Sequence, residues 1–208
     1  NFIILFRGVD IGFIIRYNGI VSAILGGFIM DYNYGMNSKS MSEQITDIFN
    51  SVHDVISTYK KVSIKSMVIM QHLGYNGFKR WHRYRSKCLF DLELQLMNKL
   101  CDEFRITPNF KDLDVSYAPS SIEEHLRNWD KLLLDSVQEL GKLNIEFTKQ
   151  TGMSCKLIEK LIHKFSKDYQ KVGKYLKRFN DSDWLTLDIH IVDDCLHKKY
   201  KEKEKNYD

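Results

Sequence analysis

From Met41 onward the apolar residues recur at the 3.6-residue spacing of amphipathic helices. A first stripe runs through Ile45, Ile48, Val52, Val55/Ile56, Tyr59, Val62, Met67 and Met70, and stops at Gly74. A second begins near Gly77 and carries Phe78, Trp81, Cys88/Leu89, Leu92, Leu96, Leu100 and Phe104. Both prolines fall between Ile106 and Ser120, a stretch long for a simple loop. Ser120 and Ser121, each followed three residues later by a glutamate, predict a capped helix start. The third stripe then follows: Ile122, Leu126, Trp129, Leu132/Leu133, Val137, Leu140, Leu143, Phe147. After a break at Thr151–Gly152, a fourth runs through Ile158, Leu161/Ile162, Phe165, Tyr169, Val172, Leu176 and Phe179. A shorter fifth segment follows Asp181-Ser182-Asp183 and reaches roughly Tyr200, and the charges of 201–208 read as a solvated, frayed tail.

Two helices joined by a tight turn must lie antiparallel. A long connection then lets the chain traverse the bundle and start a second such pair parallel to its predecessor. The pattern predicts an all-α fold: a four-helix bundle with one long crossover and a short C-terminal fifth helix, over 41–200.

Residues 1–40 read differently. They are apolar and Gly-rich without helical periodicity, and Arg7, Asp10 and Arg16 interrupt any run long enough to span a bilayer. No small-residue cleavage site marks a signal peptide. The expectation is a leader outside the bundle, non-native or disordered, with a membrane-touching or packing segment as the alternative; Met36 or Met41 would serve as an initiator.

With 43% apolar and 28% charged residues, the chain can build a sizeable core. Only 2 prolines and 11 glycines argue against a turn-rich β fold. The net charge of +4 is too mild to point to nucleic acid. Cys88, Cys101, Cys155 and Cys195 are widely spaced with no CxxC, which fits a reduced, cytoplasmic setting. No membrane span is expected in 41–208. Phosphate-loop, Gly-x-Ser-x-Gly and His-Glu-x-x-His motifs are missing, so the usual nucleotide-binding and hydrolase classes have no footing.

Three stretches carry a family resemblance: HLGYNGFKRWHRYRS (His72–Ser86), SSIEEHLRNWDKLLLDSVQELGKLNIE (Ser120–Glu146) and LIEKLIHKFSKDYQKVGKYL (Leu157–Leu176). With the helix order, they resemble the ferritin-like superfamily of ferritins, bacterioferritins and Dps mini-ferritins. The resemblance implies iron binding or storage, iron as the one cofactor, and a homo-oligomer or mixed cage. It also implies a di-iron centre made by a Glu from each of two helices and Glu-x-x-His from two others. This sequence departs from that pattern. It contains no Glu-x-x-His, no carboxylate lies between Val55 and Phe90, and Leu89, Leu92 and Leu132–Leu134 stand where ligands are due. Ferroxidase activity is therefore not expected from the ligand pattern.

The Dps variant of the resemblance suggests His72 and His82 as ligands, with Asp91, Glu93, Asp102 or Glu103 as acidic partners; the bland reading has His72 capping a helix and His82 on a polar face. Glu159 and His163 are one helical turn apart and need Asp135 or Glu139 to complete a site. His190, Asp193, Asp194 and His197 share a helical face, and imidazole with carboxylate suits Zn, Fe or Ni; a solvated face is the alternative. Lys79, Arg80, Arg83, Arg85 and Lys87 interleave with aromatic residues and suggest weak Dps-like DNA association, or a helix end that is solvated or paired with an acidic neighbour. Two functions stay open: an iron-binding or iron-storing ferritin/Dps-like subunit whose usual ferroxidase ligands are missing, and a non-catalytic helical interaction scaffold that has lost the metal site.

Overall fold

The computed structural model describes residues 11–17, 20–25, 28–33, 40–106, 108, 110, 112–180 and 186–205. The chain divides into two compact units, Asn1–Met41 and Ser42–Asp208. In the first, strands β1 (Ile11–Tyr17), β2 (Ile20–Leu25) and β3 (Phe28–Asn33) form an antiparallel meander in sequence order. Its register pairs Tyr17 with Ile20 and Leu25 with Phe28. The runs of Ile, Val and Phe that break helical periodicity here are residues that favour strands.

The second unit is all-α. Its helices are α1 (Met41–His72), α2 (Asn76–Phe104), α3 (Ile122–Thr151), α4 (Lys156–Asn180) and α5 (Thr186–Lys205). They lie within a few residues of the expected spans. Gly74, at φ 83°, turns the chain between α1 and α2, a conformation that costs glycine least. The expected cap opens α3: the Ser121 side chain accepts from the Glu124 amide at 3.1 Å, and Glu124 accepts from the Ser120 amide at 2.7 Å. Gly152 closes α3 in the left-handed conformation at φ 70°.

The crossover between α2 and α3 runs alongside α1 and in its direction. Phe110 stacks on His53 at 3.7 Å; Lys61 then bonds Asp112 and the Leu113 carbonyl, and Lys65 bonds the Val115 carbonyl. The chain thus starts α3 at the end of the bundle where α2 starts, as the antiparallel-pair logic requires. Three aromatic layers fill the interior. Phe49, Phe104 and Phe147 occupy one end, Tyr59, Trp129 and Phe165 the middle, and Phe78, Trp81 and Tyr175 the other end.

The C-terminal helix is longer and better anchored than the charge run suggests. Helix α5 continues to Lys205, and Glu204 is buried where Arg80 and Arg83 reach it. The apolar spacing thins after Tyr200, but the anchor there is ionic. Among the described residues, no helix is long and apolar enough to cross a membrane.

Candidate functional site

Each of the four bundle helices sends a side chain to the middle of the unit, three of them buried and that of Arg85 partly exposed. Tyr59 comes from α1, Arg85 from α2, Trp129 from α3, and Asp168 from the midpoint of α4. Asp168 is only 2% exposed. A carboxylate so far from water must be paired or neutralised. The Arg85 guanidinium bonds one of its oxygens, and the Tyr59 hydroxyl donates to the other at 3.2 Å. Burial alone would lower the Arg85 pKa, but Asp168 and Tyr59 carry it above its ordinary value. Burial, with Asp168 beside it, pushes the Tyr59 phenol well up. At neutral pH the Arg85 guanidinium is therefore charged and the Tyr59 phenol neutral.

A second polar chain lies toward the end where α2 and α3 start. His82 and His125 face each other, Nε2 to Nε2, at 3.0 Å, one donating and the other accepting. The Tyr117 hydroxyl, on the crossover, lies 2.7 Å from His125 Nδ1. Burial, reinforced by His125, Arg85 and Lys171, holds His82 well below the usual imidazole range. Burial alone brings His125 down to about 3. Both rings are neutral at physiological pH.

A third cluster joins α1 to α2. His53 Nε2 lies 3.0 Å from Glu93 Oε1, and Lys60 bonds the other Glu93 oxygen. Those bonds engage both carboxylate oxygens and one imidazole nitrogen.

The residues singled out in the sequence are dispersed. His82 lies in the interior against His125, not on a polar face, because α2 turns that side toward α3. His72, at the end of α1, is exposed, as are Glu159 and His163 on α4. His190 is exposed and stacks on Tyr75 at 5.3 Å; Asp194 is exposed. Asp193 is buried and accepts from the Phe78 amide at 2.8 Å. His197 Nδ1 accepts from Arg80 Nε at 3.3 Å. The three arginines of the basic cluster turn to acids of the same chain: Arg80 and Arg83 to Glu204, Arg85 to Asp168. Asp135 and Glu139 line a cleft of about 440 Å³ with Ser51, Asp54 and Thr58 of α1, whose lining does not include His163. Among the described residues, no three His, Cys, Asp or Glu side chains converge to hold a metal ion.

The central donor set does not suit a di-iron site either. It offers one carboxylate and one phenol. Guanidinium and the indole N–H of Trp129 only donate, and cannot ligate a cation.

The class defined by this architecture is the ferritin fold: two antiparallel helix pairs, a long crossover and a C-terminal helix. Solved structures with the same fold include an open pore ferritin from the hyperthermophilic archaeon Archaeoglobus fulgidus. It is 12% identical over 77% of this chain and 96% of its own, with a TM-score of 0.58. A further structure described in the same terms matches at TM-score 0.61 and 10% identity, covering 77% of this chain and 97% of that one. A closed form of the A. fulgidus ferritin engineered by site-directed mutagenesis matches at TM-score 0.57 and 12% identity, with 77% and 96% covered. No protein-family profile and no curated protein sequence matches the chain.

Proposed function

We propose that this chain is a subunit of a ferritin-type homo-oligomer, in which the helical bundle serves as a wall element and not as a ferroxidase. The observation that carries the reading is an exposed apolar face spanning α1 and α2. Ile64 is 45% exposed, Val68 49% and Phe90 53%, with Leu94 and Met97 continuing the α2 stripe at one-turn spacing. Patches of this kind on an otherwise charged surface mark interaction sites. Lys60, Ile64, Ser86, Lys87, Phe90 and Asp91 line a shallow depression of about 490 Å³ on that face. Lys87 and Asp91 lie one helical turn apart beside Phe90. A two-fold axis passing beside Phe90 sets that ring of each copy against its image, the self-complementarity an isologous interface needs.

A residue beside such an axis meets its own image. Phe90→Cys, in a background with the exposed Cys101 and Cys195 changed to Ser, is therefore expected to form a disulfide-linked dimer on mild oxidation. A monomeric product under the same oxidation counts against this face as the interface.

Iron, in this reading, is cargo carried outside the bundle middle, with the exposed His72, Glu159, His163, His190 and Asp194 as its candidate donors. The second reading, an interaction scaffold that has lost the metal, is favoured by the Arg85–Asp168 pair at the centre. Elemental analysis of protein purified without chelator separates the two: iron at fixed stoichiometry supports cargo, and its lack supports the scaffold. DNA association gains no support from the basic cluster, whose arginines are engaged within the chain.

A further inference from the structure

We propose that Arg85 is the resident cation of the bundle centre, its guanidinium holding the Asp168 carboxylate that the four bundle helices enclose. The inference rests on what all four helices present there, and is independent of the assembly proposed above. Among the described residues, Asp168 is the lone carboxylate bonded at the centre, and Arg85 and Tyr59 bond its two oxygens. An ion arriving from solvent would have to displace a hydrogen-bonded guanidinium whose side chain is only 12% exposed.

The surroundings also disfavour a second cation. Lys164 and Lys171 of α4 lie close enough for Asp168 and Arg85 to act on both. Burial first, then neighbouring Lys199, lower Lys171 to about 8, with Arg85 and Lys203 adding to the effect. The Lys171 ammonium sits 4.4 Å over the Trp81 ring and 5.0 Å over Tyr200, held by aromatic faces instead of a carboxylate. Positive charge here already exceeds what Asp168 balances. The substitution follows a simple physical logic. Four helices can share a buried cation supplied by solvent, or one helix can supply it covalently and remove the dependence on metal.

Chemical rescue tests this on the full chain. Arg85→Ala leaves the Asp168 carboxylate uncompensated in a guanidinium-shaped space, and its melting temperature is expected to fall. Methylguanidinium at millimolar concentration should restore most of that loss, whereas the same concentration of tetramethylammonium should not. Adding Asp168→Asn should abolish the rescue. Rescue that survives Asp168→Asn, or no rescue in a folded Arg85→Ala protein, overturns the proposal. Should Arg85→Ala fail to fold, the double variant Arg85→Leu/Asp168→Leu decides: a folded protein supports a charge pair that can be removed whole, and an unfolded one contradicts it. The wild-type chain supplies a last arm. Its melting temperature is expected to stay unmoved by Co(II) or Fe(II) acting through the centre, and a metal-induced shift lost in Asp168→Asn overturns the proposal.

Discussion

At the scale of single residues, the buried charge pair and the buried imidazole pair make opposite demands on solvent. Removing one member of a buried ion pair strands the other, so Asp168→Asn or Arg85→Leu is expected to cost about 3–5 kcal/mol in urea unfolding. The imidazoles respond to pH instead. Both His82 and His125 have folded pKa values below that of the unfolded chain, about 6.5. The unfolded state therefore binds protons first as pH falls. Stability is complete above about pH 6.5 and is lost below it, approaching about 1.4 kcal/mol per pH unit for each ring. Urea unfolding between about pH 7.5 and 5.5 reads this slope, and His125→Gln should reduce it; an unchanged slope contradicts the neutral-pair assignment. These residues were only partly visible in the sequence. Asp168 falls between Phe165 and Val172 on the α4 stripe, and Arg85 between Trp81 and Cys88 on α2. A charge at a stripe position is the signal that could have found them. Their pairing is set by which helices face each other, which no local spacing encodes. His125 was missed because its partner His82 lies forty-three residues away, on a different helix.

At the scale of elements, α5 is joined to α2 more intimately than a terminal helix need be. A Cβ on Gly77 would lie 1.8 Å from the Asp193 carbonyl oxygen, so the two backbones approach within a distance only glycine permits. Tyr75, at the N-cap of α2, makes no side-chain cap, and the Asp193 carboxylate satisfies the Phe78 amide from across the interface. Gly77→Ala is expected to destabilise the unit by about 1–3 kcal/mol, or more where the helices cannot separate. The same variant should speed proteolysis at α5, which limited trypsin digestion checks; an α5 as resistant as in wild type would show that the contact is not required. Ser121→Ala, which removes the α3 cap, should cost about 1 kcal/mol. Helix spans and this cap were legible because they depend on spacing within one segment. The length of α5 was not, because Glu204 is held by Arg80 and Arg83 of a distant helix, in a stretch whose composition resembles a solvated tail. The strands of the first forty residues were likewise hidden, since apolar runs without alternation carry no period to read.

At the scale of the whole molecule, the order of helices and the crossover followed from connection lengths, while the chemistry did not follow from the fold. Two long antiparallel pairs and a traversing connection leave few alternatives to this bundle, so its ferritin-like topology could be reasoned from the chain. What the bundle centre holds depends on side chains that the topology does not choose. The surface is where a function can still be built, and the α1–α2 face gathers the exposed apolar side chains of Ile64, Val68, Phe90, Leu94 and Met97. Phe90→Asp places a charge at the middle of that face and is expected to shift the protein to monomer without lowering the melting temperature of the bundle, as read by sizing and thermal unfolding. The most direct measurement is the molar mass of the wild-type chain by light scattering across a dilution series. The account predicts a closed oligomer, at an integer multiple of the chain mass, that persists on dilution; a monomer at every concentration would contradict it.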